Sequence, residues 1–296
     1  MLTSSQLQGT RLTGILLTLA STASLGFTFL FSKIALDELN TRSFVFFWML
    51  HAAIYATAGS FPHRRDTRSL DRNAWILLIV TGLLNVFSSY FFFTAIDIAP
   101  QPALVSFLGQ LTIIPSLAVS FFILKEKITR GATLGIIVLL TGTVLLTYVS
   151  GSIGWQLLAL VAAFSLANGM QLLTNKLAVA AVQPVVIVAA RAWLSAIGAL
   201  IFFAGSFVLP STGIWLVLAI GAFFGPFLSF ILRYFALRNA EAWIVASLST
   251  SLPLFVALYD AVILGERMSA QELFAGALVM IGAMQVSVRR QVTEVT

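Results

Sequence analysis

The chain has 296 residues, of which 59% are hydrophobic and only 9% charged, with a mean hydropathy of +0.99. A soluble domain carries about a quarter charged residues, so a water-soluble fold is excluded and a membrane protein is required. The net charge of +6 does not point to nucleic acid, because the basic residues fall between apolar runs where topology accounts for them, and the absence of cysteine removes disulfides, thiolate metal sites and cysteine nucleophiles.

A bilayer span needs about 20 mostly apolar residues. Charged and Gly/Pro/Ser-marked breaks divide the chain into ten such runs, near 13–36, 43–62, 74–96, 102–124, 131–149, 154–175, 184–206, 212–236, 241–264 and 271–288. The runs are continuously apolar rather than alternating, and backbone polar groups in hydrocarbon must be satisfied internally, so helices are expected and a barrel is not. The predicted fold class is an all-α membrane protein of ten transmembrane helices. The first run is longer than a signal-peptide core and lacks a small-x-small cleavage site, which predicts a retained helix.

In chain order, the first run carries Thr18, Thr22 and Thr28, with Lys33 near its end, and the second carries Trp48 and His51. The third holds Asn85, Ser89 and the "YFFF" stretch from Tyr90. The fourth holds Ser106, Gln110, Pro115 and Ser120 and runs into "LKEKIT", ending at Thr129. After the fifth, the short "SGSIG" turn from Ser150 leads to the sixth run with Asn168 and Gln171, and the seventh holds Arg191. The eighth has Pro226 after "GAFFG", and the ninth has Ser247, Thr250, Pro253 and Asp260 before "LGERMS", ending at Ser269.

The two hexapeptides repeat at an offset of 140 positions, which also pairs Leu104 with Ile244, Leu108 with Leu248, Gln110 with Thr250, Glu126 with Glu266 and Gly142 with Gly282. Weaker echoes join "SKIAL" ending at Leu36 to "NKLAV" ending at Val179, and "AGSF" ending at Phe61 to "AGSF" ending at Phe207. The reading is two five-helix repeats, 11–149 and 152–290. Five is odd, so the second repeat enters the membrane upside down relative to the first, the inverted topology of many secondary transporters. The hexapeptides themselves close helix ends: Ser269 with Glu272 forms a capping box, and Thr129 is a cap. They mark the repeat rather than the solute site.

With the N-terminus in the cytoplasm, thirteen Lys and Arg fall on inside loops and ends, among them Arg64, Arg65, Arg68, Lys125, Lys127 and Arg233, against Lys33, Arg42 and Arg267 outside. The positive-inside rule therefore puts both termini in the cytoplasm. Short loops and the lack of a targeting segment fit a bacterial inner membrane.

Two sequence features then meet. In each half a proline is followed by an apolar run into L-x-E, as "PSLAVSFFILKEKIT" from Pro115 and "PLFVALYDAVILGERMS" from Pro253. The halves close with "GTVLL" from Gly142 and "GAMQV" from Gly282. With ten helices in two inverted halves, this resembles the EamA-type members of the drug/metabolite transporter superfamily. The resemblance implies a transporter of a small organic solute, an amino acid or related metabolite moving outward; the sequence itself gives no reason to expect a cofactor. The family's basic residue in the second helix of a repeat matches Arg191 in "VAARAWLSA", whereas the first half reads "FVFFWMLHA" with Trp48 in that region.

Ionisable residues inside a membrane are functional candidates by default, and His51, Arg191 and Asp260 qualify. At 1.5 Å per residue Arg191 lies about 10 Å from the cytoplasmic end of its helix, while Asp260 and His51 lie about 6–9 Å and about 12 Å from the outer ends of theirs. Arg191 either binds a carboxylate or phosphate on the solute or is a structural tie or a snorkelling end. Asp260 either pairs with His51 or Lys33 in an outer gate or proton-responsive site, or simply reaches the outer interface. Such a pair permits a coupling proton without requiring one.

Asn85, Gln110, Asn168 and Gln171 are bulky amides at span interiors and are read as cavity lining, joined by Thr250 as the repeat counterpart of Gln110. Trp48 and Tyr90 are aromatic candidates for solute contact. The other Ser and Thr are read as helix-packing residues, and Trp75, Trp155 and Trp215 as interface anchors. Pro115, Pro226 and Pro253 either support the bending that alternating access requires or are static kinks.

An intramembrane enzyme is not expected, since no H-E-x-x-H, G-x-S-x-G or metal-like cluster occurs and there are only two histidines. A channel needs a continuous polar ring that these scattered amides do not supply. A non-transporting scaffold would leave the amides and Arg191 without a use beyond packing. The expected partners are a small-molecule solute and the lipid bilayer.

Overall fold

The structure, a computed structural model, describes residues 4–61, 71–123, 129–203, 205–240 and 242–291, and no strand occurs among them. The first half comprises α1 (Ser4–Leu36), α2 (Thr41–Ser60), α3 (Arg72–Ile98), α4 (Pro102–Leu108), α5 (Ile113–Ile123) and α6 (Arg130–Ser150). The second comprises α7 (Trp155–Ala181), α8 (Pro184–Phe202), α9 (Thr212–Ala222), α10 (Phe230–Asn239), α11 (Ala242–Ser249), α12 (Leu252–Tyr259) and α13 (Ala270–Gln291). Among the described residues nine helical stretches are long and apolar enough to cross a membrane. The expected 154–175 run corresponds to α7, a further helix of 27 residues.

Helix starts follow local chemistry. Asn40 and Asp71 accept from the backbone N of Ser43 and Ala74 at 2.9 and 2.8 Å, satisfying N–H groups that the first turns of α2 and α3 leave unpaired. Thr129 caps α6 through Ala132 N at 3.1 Å. Ser269 and Glu272 bond reciprocally at 2.8 and 3.2 Å, the capping box expected for α13. The 124–128 part of the first hexapeptide and the basic loop residues Arg64, Arg65 and Arg68 lie outside the described residues.

Three expected spans are not continuous α-helices. The fourth passes from α4 through a 3-10 turn, Gly109–Thr112, into α5, where Pro115 falls in the first turn. The ninth breaks at Thr250 and Ser251, with Pro253 at the start of α12, and ends in a π-helical turn, Asp260–Leu264, before Gly265 at φ +74°. Proline has no N–H to give to the preceding turn, so the chain rearranges just ahead of it. The breaks at Gln110 and Thr250 fall at the 140-residue offset. Pro226 sits inside a π-helical segment, Phe223–Ser229, between α9 and α10.

The helices pair across the two halves reciprocally. First-half α3 packs on second-half α7, and the α9–α10 rod packs on α1. Likewise α5 lies on α7 and α12 on α1, while α2 pairs with α8 and α6 with α13. Helix association in lipid depends on close backbone approach rather than on hydrophobic transfer, and α6 and α13 achieve it through glycine. A Cβ at Gly142 would stand 2.6 Å from Val279 N and one at Gly135 2.9 Å from Gly282 O, while Gly282 lies against Leu139 N. The common core between the halves centres on Phe44, Trp48, Phe93, Leu104 and Phe107.

Candidate functional site

The buried face of α8 carries Val188, Arg191, Ala192 and Ser195 at helical spacing, opposite Thr81 and Asn85 on α3 and Gln171 on α7. Arg191 donates from Nη2 to Asn85 Oδ1 at 2.7 Å. The same oxygen accepts from Gln171 Nε2 at 3.2 Å, and Gln171 also donates to the Thr81 carbonyl at 3.1 Å. Asn85 Nδ2 donates to Ser195 Oγ at 2.7 Å. An arginine can only donate, so it fixes which end of the Asn85 amide faces it. One asparagine thereby ties three helices from both halves.

The second half closes over the guanidinium. Arg191 lies 4.4 Å from the centroid of the Phe230 ring on α10, a cation–π contact. Tyr234, one turn on, places its hydroxyl at Arg191, and Arg233 is near enough for its like charge to act on it. Arg191 is 9% exposed and its Nε has no hydrogen-bond partner. A snorkelling end is thereby excluded for Arg191, since its head is held inside the protein. Arg233, which topology assigns to a cytoplasmic helix end, is half-buried in α10, inside the span Thr212–Ala236. Its signal in the sequence is an arginine inside an otherwise apolar run at 212–236.

Gln110 and Asn168 belong to a neighbouring contact, where the 3-10 turn and α5 meet α7. Thr112 Oγ1 donates to Ser165 Oγ at 3.2 Å there, and Gly169 is packed against Pro115. Both amides are half-buried, and neither side chain is hydrogen-bonded to a described residue.

Other candidates are placed elsewhere. Trp48 is fully buried among Phe44, Phe93 and Gly221, and its indole Nε1 has no hydrogen-bond partner among the described residues. Tyr90 stacks on Phe203 with centroids 3.8 Å apart. Thr250 bonds within its own turn, to the Ser247 carbonyl at 2.6 Å.

Asp260 and His51 do not meet. Asp260 is 1% exposed and accepts from Ala103 N at 2.8 Å at the start of α4, so it does not reach an interface as the alternative reading has it. His51 bonds the Phe47 carbonyl of its own helix at 2.7 Å and packs on Trp215. Lys33 donates to the carbonyls of Asp97 and Ala99 at 3.3 and 2.9 Å, closing the end of α3, within Coulombic reach of Asp260 and Glu266. Helix ends won these charges because unpaired backbone groups in a membrane protein have no water to turn to. Among the described residues no group of three or more His, Cys, Asp or Glu is placed to hold a metal ion.

Comparison with known proteins gives a consistent picture. A family model described as "EamA-like transporter family" matches residues 12–148 and again 153–288. Proteins called "Uncharacterized inner membrane transporter YhbE", from Escherichia coli strain K12 and from Shigella flexneri, are each 28% identical over 134 residues. That match covers 45% of this chain and 42% of theirs, so the chain aligns with less than half the length of these curated relatives. A crystal structure at 20% identity superposes with a TM-score of 0.68 over 96% of this chain and 99% of that one, a likeness of fold.

Proposed function

The chain belongs to the EamA-like transporter family, and from that premise we propose that it is a secondary transporter moving a small organic solute, an amino acid or related metabolite, out of the cell by alternating access. We take the ten helices as two inverted five-helix repeats in a bacterial inner membrane, with both termini cytoplasmic. The observation that carries the reading is the reciprocal pairing of the halves, in which helices broken at repeat-equivalent positions, Gln110 and Thr250, pack against α7 and α1 of the opposite half. Two halves that exchange partners in this way can rock about a shared axis, and broken helices supply both bending points and free backbone groups for a solute.

In this reading Asn85, Gln171 and Arg191 form the buried end of the solute path, and Gln110 and Asn168 form its wall. Asp260 and Lys33, which hold helix ends together at the opposite end, are the outer closure, and a proton on Asp260 would weaken its charge-assisted hold on Ala103 N. The test is flux in proteoliposomes loaded with radiolabelled amino acids and short metabolites, comparing the wild type with Gln110→Ala and Asn168→Ala. Solute-specific release that falls in both variants supports the reading. Equal flux from protein-free vesicles across the whole panel would remove it in favour of a membrane scaffold.

A further inference from the structure

Arg191 on α8 and Arg233 on α10 are two guanidinium groups within the membrane region, Arg233 standing three residues beyond Phe230, whose ring packs on Arg191. Burying one ion costs several kcal/mol unless another charge offsets it, and here the offsetting group is missing among the described residues. The groups around Arg191 are the neutral Asn85, Gln171, Tyr234 and Phe230. The described carboxylates lie elsewhere. Asp37, Asp97, Asp260 and Glu266 gather around Lys33, and Glu38 holds Ser211 at the same end. Asp71 is occupied as the cap of α3 and Glu272 as the cap of α13.

Three features give this cationic pair the character of a site rather than a strained core. The Arg191 Nε is buried and unpartnered although its Nη2 is firmly held, so the guanidinium is oriented with donor capacity in reserve. The Phe230 ring packs on the guanidinium carbon, which directs any further partner to the in-plane donors where an oxyanion binds. Arg233 has no hydrogen bond to a described residue, and Tyr234 beside both arginines carries a hydroxyl.

Resting on the transporter reading above, we propose that Arg191, Arg233 and Tyr234 form an oxyanion site, and that the transported solute carries a carboxylate or phosphate group that is neutralised there. An anion held by both arginines supplies a counter-charge that no described carboxylate gives Arg191, so loading offsets the buried charge of Arg191. It also joins α8 of one helix pair to α10 of another, coupling occupancy to the packing of α10 on α1.

The experiment is thermal unfolding of the purified full chain in detergent with acetate, succinate, inorganic phosphate and sulfate, against acetamide and succinamide, followed by proteoliposome flux with the same compounds. Ligand binding to the folded state raises the apparent melting temperature by mass action. The expected result is stabilisation by at least one oxyanion, none by the matching amides, and affinity about tenfold weaker or worse in Arg233→Gln. Arg233→Gln removes no hydrogen bond to a described residue and is the variant expected to fold; Arg191→Lys keeps the charge and retains part of the binding.

Equal stabilisation by amide and acid, unchanged oxyanion affinity in Arg233→Gln, or no stabilisation by any oxyanion would overturn the site. Flux of the neutral amides alone overturns it while leaving the transporter standing. Oxyanion binding without flux of any solute leaves the site standing and removes the transporter.

Discussion

Asn85 Oδ1 stands 2.7 Å from Arg191 Nη2, so a single neutral amide from one half of the chain receives the buried cation of the other. Asn85→Ala removes that acceptor along with partners of Gln171 and Ser195. Hydrogen bonds to charged groups contribute about 1.5–3 kcal/mol, and a loss in that range is expected in detergent unfolding. Asn85→Asp is expected to behave oppositely, because it puts a permanent counter-ion on Arg191. The melting temperature should hold or rise while oxyanion binding and flux are lost, a split that a purely structural asparagine would not produce.

Gln110 and Asn168 present half-buried amides with no hydrogen bond to a described residue. Substitutions away from networks and caps usually change stability by about 0.5 kcal/mol or less. Gln110→Ala and Asn168→Ala should therefore melt with the wild type yet transport at least about tenfold more slowly, as expected for loss of an interaction made with solute. Flux assayed beside unfolding separates the two effects.

Gly142 and Gly282, one repeat apart, both sit in the α6–α13 contact. A side chain at either collides with backbone rather than with a flexible side chain, so the helices must separate. Overpacking costs about 1–3 kcal/mol, and Gly142→Leu and Gly282→Leu should each destabilise by about that much. The double variant should lose less than the sum, because the first substitution already opens the shared contact.

Glu266 lies just beyond the span that ends at Leu264, and burial raises its carboxyl above its ordinary value of 4.5, opposed by the charge of Lys33 and reinforced by that of Asp37. The folded protein thus holds this proton to higher pH than the unfolded chain does. The stabilising contribution is complete below the ordinary value and is lost as pH rises through the folded one. As pH rises above the ordinary value of 4.5 the wild-type melting temperature should fall relative to that of Glu266→Gln. Parallel curves would show that burial leaves the Glu266 carboxyl unshifted.

Hydropathy alone determined that this chain is helical and membrane-embedded, and the 140-residue echo determined its two-part organisation, since both depend on local properties: apolar length, proline, glycine and caps. Ser269, Glu272 and Thr129 act where their spacing puts them, because a cap needs only its own helix end. Partnerships were a different matter. Depth matches Asp260 to His51, with Lys33 as the competing partner; in the structure Asp260 holds Ala103 N within Coulombic reach of Lys33 and apart from His51, because depth ranks residues along the membrane normal and says nothing of which helix is adjacent. Arg233 read as a topology marker until α10 was laid over α8, where it shares Arg191's surroundings. Charge compensation is a sum over neighbours from several helices, and only the tertiary packing decides which neighbours those are.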